Sequence, residues 1–182
     1  MVILKDKKLN EQLVAADKQE FDLLKSQIDR NPMLKKMLTT PIREIPQYEF
    51  IHNEIYGAGA YPLLSLLEFF VIEGHGKLLF SKAGNNFIGF IIYVEKGRDI
   101  THIKMASFYD DRVKANGMIA KDLRNFIASE MPSHNKIEWE VDKDNKHAIA
   151  MYQEAIPKWF PQYRLTWDWS NKLNRWIYAI TK

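Results

Sequence analysis

Asn145, Ala148 and Tyr152 stand at intervals of three and four in "DNKHAIAMYQEAI", so a helix there presents them on one face. A small residue lets a ligand approach closely, an amide bridges polar groups, and a phenol donates a proton. The same set also suits an N-capping asparagine with a core alanine and tyrosine. Upstream, "RVKANG" at 112–117 reads as a loop between a strand and a helix. Free amides at a helix start and the helix dipole favour an anion, commonly a phosphate. Ala115 and Gly117 leave room for close backbone approach, and Arg112 and Lys114 add positive charge; an ordinary connector has the same look. Glu138 and Glu140, and Asp110 and Asp111, are the candidate proton acceptors, or else the wet face of a strand and a turn.

Other chemistries find less support. The chain has no cysteine, which excludes a thiol nucleophile, a disulfide framework and Cys-ligated metal. His52, His75, His102, His134 and His147 include no i, i+4 pair with an adjacent glutamate, and no carboxylate cluster joins them along the chain, so no metal is expected. Gly57-Ala58-Gly59 has no strand leading into it and reads as a loop rather than a phosphate cradle.

The positioning elements follow from periodicity. Asp17 and Glu20 fit a capping box ahead of Phe21, Leu24 and Ile28. Asn31-Pro32 starts a second helix with Met33, Leu34, Met37 and Leu38 on its apolar side, and Pro62 opens another through about Glu73. "EQLVAA", before Asp17, is open between strand and coil. From Gly74, "KLLFSK" and "FIGFIIYVEK" form a hairpin around "AGNN", and the second run is apolar on both faces, as a central strand should be. "ITHIKMASFY" is a third strand, followed by a helix carrying Ile119, Leu123, Phe126 and Ile127. "KIEWEV" alternates strictly, with Ile137, Trp139 and Val141 on one face. A short helix over "DNKHAIAMYQEAI" and two aromatic strands, "YRLTWDW" and "RWIYAIT", complete the order. Tyr163, Leu165, Trp167 and Trp169 share a face, as do Trp176, Tyr178 and Ile180. They are core aromatics by default, or else line an acceptor pocket or pair a second copy into a homodimer. The fold class is α/β of the α+β type, with a mixed sheet whose strand–helix–strand unit makes one parallel pair.

The chain has 182 residues, 46% apolar and 27% charged, which fits a single domain: a helical N-terminal part over 1–73 and a core with a terminal hairpin over 74–182. A net charge of +3 with interspersed signs argues against nucleic acid as partner. "MVILKDKKLN" has no signal-peptide apolar run, and no segment approaches the ~18 apolar residues of a membrane span, so a cytoplasmic protein without membrane contact is expected.

The two constellations occur in order on one strand–helix–strand–helix frame, and there the sequence resembles the GNAT superfamily of N-acetyltransferases. Val141, Asn145, Ala148 and Tyr152 match that family's V-x-x-x-N-x-x-A-x-x-x-Y motif. "RVKANG" matches R/Q-x-x-G-x-G/A with Ala115 for the first glycine; a second register puts Lys114, Gly117 and Ile119 at the three positions. "AGNNFIGFIIYVE" is similar to the family's hairpin into a buried strand, and Ala155-Ile156-Pro157 replaces its L-G-F turn. The resemblance implies a mostly antiparallel sheet with a splayed parallel pair, flanked by helices, and acetyl-CoA as co-substrate. It implies a pyrophosphate on the amides of Arg112, Val113, Lys114, Ala115, Asn116 and Gly117, and a pantetheine arm along Ser107 and Tyr109, held by Asn145. Tyr152 is the implied acid, and the acceptor an amine of a small molecule or protein. The altered loop also suits a catalytically silent module on the same frame.

Overall fold

The computed structural model describes residues 11–54 and 57–182, without the side chains of Phe50, Asn53, Glu54, Arg112 and Val113. The opening "MVILKDKKLN" lies outside the described residues. "EQLVA" is a strand, β1 (Glu11–Ala15), and its burial alternates as a strand's should. It is followed by α1 (Lys18–Ile28), α2 (Pro32–Thr39), α3 (Glu49–Glu54) and α4 (Leu63–Ile72). Then come β2 (Lys77–Ala83), β3 (Asn86–Lys96), β4 (Asp99–Ser107), α5 (Arg112–Glu130), β5 (Lys136–Val141), α6 (Lys146–Trp159), β6 (Arg164–Ser170) and β7 (Arg175–Thr181).

Local chemistry explains most boundaries. Asp17 Oδ1 accepts from the Glu20 amide at 2.9 Å and caps α1. The expected reciprocal half of the capping box is absent, because Glu20 reaches Lys82 Nζ at 2.7 Å instead. Burying a lysine demands a paired charge, and Lys82 is 4% exposed. Asn31 caps α2 in the same way, with Pro32 in its first turn. Two expectations change. "RVKANG" is the first turn and a half of α5 rather than a loop, since Asp111 starts the helix earlier. And α6 does not stop at Ile156 but runs through Pro157 to Trp159. The L-G-F position is therefore helix, not turn.

The strands form one sheet in the order β1–β2–β3–β4–β5–β7–β6, antiparallel throughout except for β4 with β5. Each face carries its own core. On one, α1 to α4 pack Phe21, Leu24, Met37 and Leu63 against Phe80, Phe90 and Phe108. On the other, α5 and α6 pack Leu123, Phe126 and Ile156 against Ile91, Ile137, Trp139 and Tyr178. The first core takes no residue from β5, β6 or β7, so among the described residues that face of the last three strands has no buried helical cover. The aromatic hairpin divides: Tyr178 and Ile180 are fully buried, whereas Trp167, on edge strand β6, is 44% exposed.

At Gly89 a Cβ would lie 2.4 Å from the Ala106 carbonyl oxygen, so only glycine lets β3 approach β4 there. Asp122 on α5 is buried and accepts a 2.7 Å hydrogen bond from Ser81 Oγ. Burial lifts its carboxyl to about 7, the Ser81 bond opposing and the nearby Glu11 adding to the rise. The unfolded chain ionises near pH 4 while the native state keeps its proton to about 7, so stability from this group falls as pH rises between the two. Asp122→Asn, which can still accept from Ser81, is expected to flatten that slope in urea melts and to stabilise the protein above pH 7 by a few kcal/mol, roughly 4 at most at about 1.36 per unit.

Candidate active site

β4 and β5 pair only at Asp99↔Lys136 and Ile100↔Ile137, and then diverge. The cause lies on the other side of β4. Opposite β3 the register runs Ile92↔Lys104 and then Val94↔Thr101, so β4 places His102 and Ile103 against Tyr93 alone. This is a β-bulge, which bends the strand that carries the extra residue. His102 has φ 54°, in the left-handed region that non-glycine residues seldom occupy. Beyond Ile100 the facing edges of the two strands have no ladder, and a cavity of about 690 Å³ fills the opening. It reaches both faces of the sheet. Ala115, Asn116 and Ile119 of α5 and Met151 and Tyr152 of α6 line it on one side; Pro46, Gln47, Glu49, Lys104, Glu140 and Arg175 line it on the other.

The residues singled out in the sequence are placed as follows. Ser107, Ala115, Asn116, Asn145 and Tyr152 line the cavity. Asn145 caps α6, its Oδ1 accepting from the Ala148 amide at 3.2 Å, which leaves its NH2 group as the donor. Ser107 is tied at both ends: its Oγ donates to the Ile88 carbonyl at 3.2 Å, and its own carbonyl accepts from Tyr48 Oη at 3.1 Å. Tyr109, Lys114 and Gly117 are not among the lining residues; Lys114 Nζ sits 4.5 Å over the Tyr109 ring, and the Tyr109 amide donates to Ser107 Oγ at 3.0 Å. The backbone of Arg112 and Val113 belongs to α5, and their side chains lie outside the described part.

Two of the amides expected to meet a phosphate are engaged by Asp111. Its Oδ1 accepts from the Lys114 amide at 3.1 Å and its carbonyl from the Ala115 amide at 2.8 Å. A carboxylate thus occupies part of the helix start where an anion would bind. Asp110 is tied to Lys36 and, through its carbonyl, to Gln47.

Tyr152 is half-buried, with its ring edge-on to Trp139 at 5.2 Å and 5.3 Å from Tyr178. Burial pushes its phenol up to about 12; Tyr178 adds to the rise and the Trp139 indole opposes it. The indole nitrogen of Trp139 is itself buried without a well-formed hydrogen bond. Tyr178 is also raised by burial, against a 3.0 Å hydrogen bond from Gln153 Nε2. Across the splay, burial holds the Lys104 ammonium below the ordinary lysine range; Glu140 opposes this and Arg175 reinforces it.

Lys104, Gln47, Glu49 and Arg175, which line the cavity, escaped the sequence reading, and His102 enters it only as one of five histidines outside a metal pattern. Only the bulge brings Lys104 to the splay, and only tertiary packing brings the others. The histidines need one correction: His134 is joined by carboxylates, with Glu95 Oε1 3.2 Å from Nε2 and Glu130 Oε2 3.6 Å from Nδ1. Their ligand atoms fall within 4.8 Å of one another, but Glu95 also pairs with Lys77 at 2.6 Å and His134 Nδ1 lies 2.7 Å from the Glu130 carbonyl, as in a structural ion-pair cluster. No helix among the described residues is long and apolar enough to cross a membrane.

The sequence matches no family model and no curated protein. Solved structures do share the fold. The chain is similar to aminoglycoside acetyltransferase AAC(6')-Ib in complex with ribostamycin and coenzyme A, with a TM-score of 0.57 and 14% identity over 94% of this chain and 93% of that one. An aminoglycoside N(6')-acetyltransferase from Legionella pneumophila gives 0.51 and 12% over 93% and 90%. A spermidine N-acetyltransferase SpeG chimera, from Vibrio cholerae and hSSAT, gives 0.51 and 15% over 92% and 93%. At such identities the likeness is one of fold: the chain resembles the GNAT superfamily and has its mostly antiparallel sheet with one parallel pair.

Proposed function

We propose that this protein is a single-domain N-acetyltransferase that moves an acetyl group directly from acetyl-CoA to an amine of a small molecule or protein. The observation that carries the reading is the cavity through the splayed β4–β5 pair, open to both faces of the sheet, with Asn145 and Tyr152 on one side and polar side chains on the other. Two substrates can enter from opposite faces and meet between the strands. The unpaired edge of β4 offers backbone groups to an extended arm, as an added strand would use them. A neutral amine attacks the thioester carbonyl carbon, a nitrogen–carbon bond forms, and the carbon–sulfur bond breaks with its electron pair on sulfur. A backbone amide on β4 serves the oxyanion.

Tyr152 serves the sulfur. Its phenol, at about 12, stands well above an ordinary thiol at about 8.5, so full proton transfer to a thiolate runs uphill by about 5 kcal/mol. The phenol therefore acts first as a hydrogen-bond donor to the charge growing on the leaving group. The absence of cysteine fits direct transfer, without a cysteinyl-acyl intermediate.

Thermal melting with acetyl-CoA and with free CoA tests the reading. A ligand at a hundredfold excess over its Kd stabilises by about 2.7 kcal/mol, a shift of several degrees. The Asp111 carboxylate at the start of α5 favours a second reading, a silent module that has lost the phosphate grip. No shift with either ligand supports that module. Asp111→Asn keeps a capping oxygen and removes the charge, so it is expected to enlarge the shift with both ligands.

A further inference from the structure

The geometry points to α4 as the surface on which two copies of this chain pair, antiparallel and about a two-fold axis. The inference stands apart from the transferase reading and is tested without activity. α4 reads "LLSLLEFFVI", apolar on nearly every side, and a helix of that kind is ordinarily covered all round. Here only one side is covered. Leu63 and Leu67 are buried, and Leu64, Leu66, Phe70 and Val71 pack partly against the first core. Tyr61, Ser65, Phe69 and Ile72, at spacings of four, four and three, form an outward stripe. Tyr61 is 59% exposed, Phe69 52% and Ile72 77%, so three of the five exposed large apolar side chains among the described residues lie in this one row. The aromatic hairpin, the other candidate for pairing, contributes Trp167 and Leu173 to that set, and the Trp167 ring stacks on Tyr178 at 5.9 Å.

The stripe is its own complement. α4 has no side-chain cap and no acidic residue in its first turn, and no basic residue in its last, where an exposed Glu73 follows. Its dipole favours the reverse, a carboxylate at the start and a cation at the end. An antiparallel copy supplies the carboxylate. Centred at the level of Leu67, such a pair sets Ser65 opposite the partner's Phe69, a small residue opposite a ring. It sets Tyr61 and Pro62 opposite the partner's Glu73 and the partner's Ile72. Each contact occurs twice by symmetry, as an isologous interface requires. Beside the stripe, Lys25 Nζ holds Glu68 Oε1 at 2.6 Å, which gives the apolar row a polar rim. The three exposed side chains bare roughly 350 Å² per copy, at about 200 Å² for a whole aromatic. Two such stripes with their rims reach the low end of specific interfaces, about 1,200 Å² in all, so a dissociation constant in the micromolar range is expected. A lipid surface fits less well, because the charges on and just after the helix, Glu68 and Glu73, are both acidic.

The experiment is sedimentation velocity and light scattering on the full chain, from low micromolar to several hundred micromolar. The expected result is a mass that rises with concentration toward twice that of the chain. Ile72→Lys, at the most exposed position of the stripe, should raise the dimer Kd by about 10-fold or more, and Phe69→Glu by about 30-fold or more, with the far-UV spectrum unchanged. Ile72→Lys decides alone should Phe69→Glu melt early, since Phe69 also meets the His75 ring at 5.4 Å. Glu73→Lys should weaken pairing by about 5-fold, because it sets a cation against each helix start. Trp167→Glu, on the hairpin, should leave the Kd unchanged. A parent that stays monomeric overturns the inference, as does a dimer that the α4 variants leave intact or that Trp167→Glu takes apart. A dimer indifferent to Glu73→Lys overturns the antiparallel arrangement. Flotation with phosphatidylcholine and phosphatidylglycerol vesicles covers the remaining occupant. A monomer that floats, and no longer floats once Phe69→Glu is introduced, belongs at a lipid surface and overturns the pairing.

Discussion

Tyr152→Phe is expected to lower acetyl transfer by about 10²-fold or more while leaving the Kd for acetyl-CoA near that of the parent. The substitution removes one oxygen and little else. The ring keeps its edge-on contact with Trp139 and its packing on Tyr178, so the cavity retains its shape. What is lost is the hydroxyl that we propose donates to the leaving sulfur, and an interaction made only in the transition state appears in kcat rather than in binding. Steady-state kinetics beside calorimetric titration separate the two. Equal turnover in parent and variant would remove Tyr152 from the chemistry. A parallel loss of affinity would make it a binding residue instead.

The largest stability effect is expected at Phe80. It is fully buried in the middle of β2 and meets Phe21 of α1 at 5.2 Å and Phe87 of β3 at 5.3 Å, both edge-to-face, with Phe108 at 6.4 Å. Phe80→Ala removes the hub of that cluster and leaves a cavity that three other rings cannot all collapse into. The expected cost is about 3–5 kcal/mol. In guanidinium titrations the midpoint should fall with the slope unchanged, since the surface exposed on unfolding is nearly the same. Phe80→Leu should lose much less.

The frame of the protein could be read from apolar periodicity because burial acts residue by residue. "FIGFIIYVEK" had to be a covered strand and "KIEWEV" a half-covered one, and the matched asparagine, alanine and tyrosine placed α6 beside the parallel pair. Effects that depend on a distant partner were not visible. Glu20 was expected to close a capping box, but the buried Lys82, far away in sequence, holds it. "RVKANG" looked like a loop because small and basic residues suit both a connector and a helix start, and the cap at Asp111 decided between them. "EQLVA" became a strand because β2 offered it an edge. The bulge at His102 left no trace in "ITHIKMASF", where strict alternation would seat the histidine as an ordinary strand residue. It arises from the register between β3 and β4.

The short ladder between β4 and β5 has a consequence for how the chain reaches this fold. The crossover that joins these strands spans all of α5, so closing it is entropically expensive, yet it gains only the two register pairs at Asp99 and Ile100. Hydrogen bonding between the strands cannot drive that closure. Apolar burial adds to that gain: Leu123, Phe126 and Ile127 of α5 belong to the same core as Ile91 of β3, Ile100 of β4 and Ile137 of β5. The β1–β4 meander with α1 to α4 and the β5–β7–β6 ribbon with α6 then meet where β4 lies beside β5 and in the core they share with α5. The seam between them stays open in the native sheet because the bulge bends β4 past Ile100, so burial and not a backbone ladder holds the halves together, and that unzipped length is the cleft.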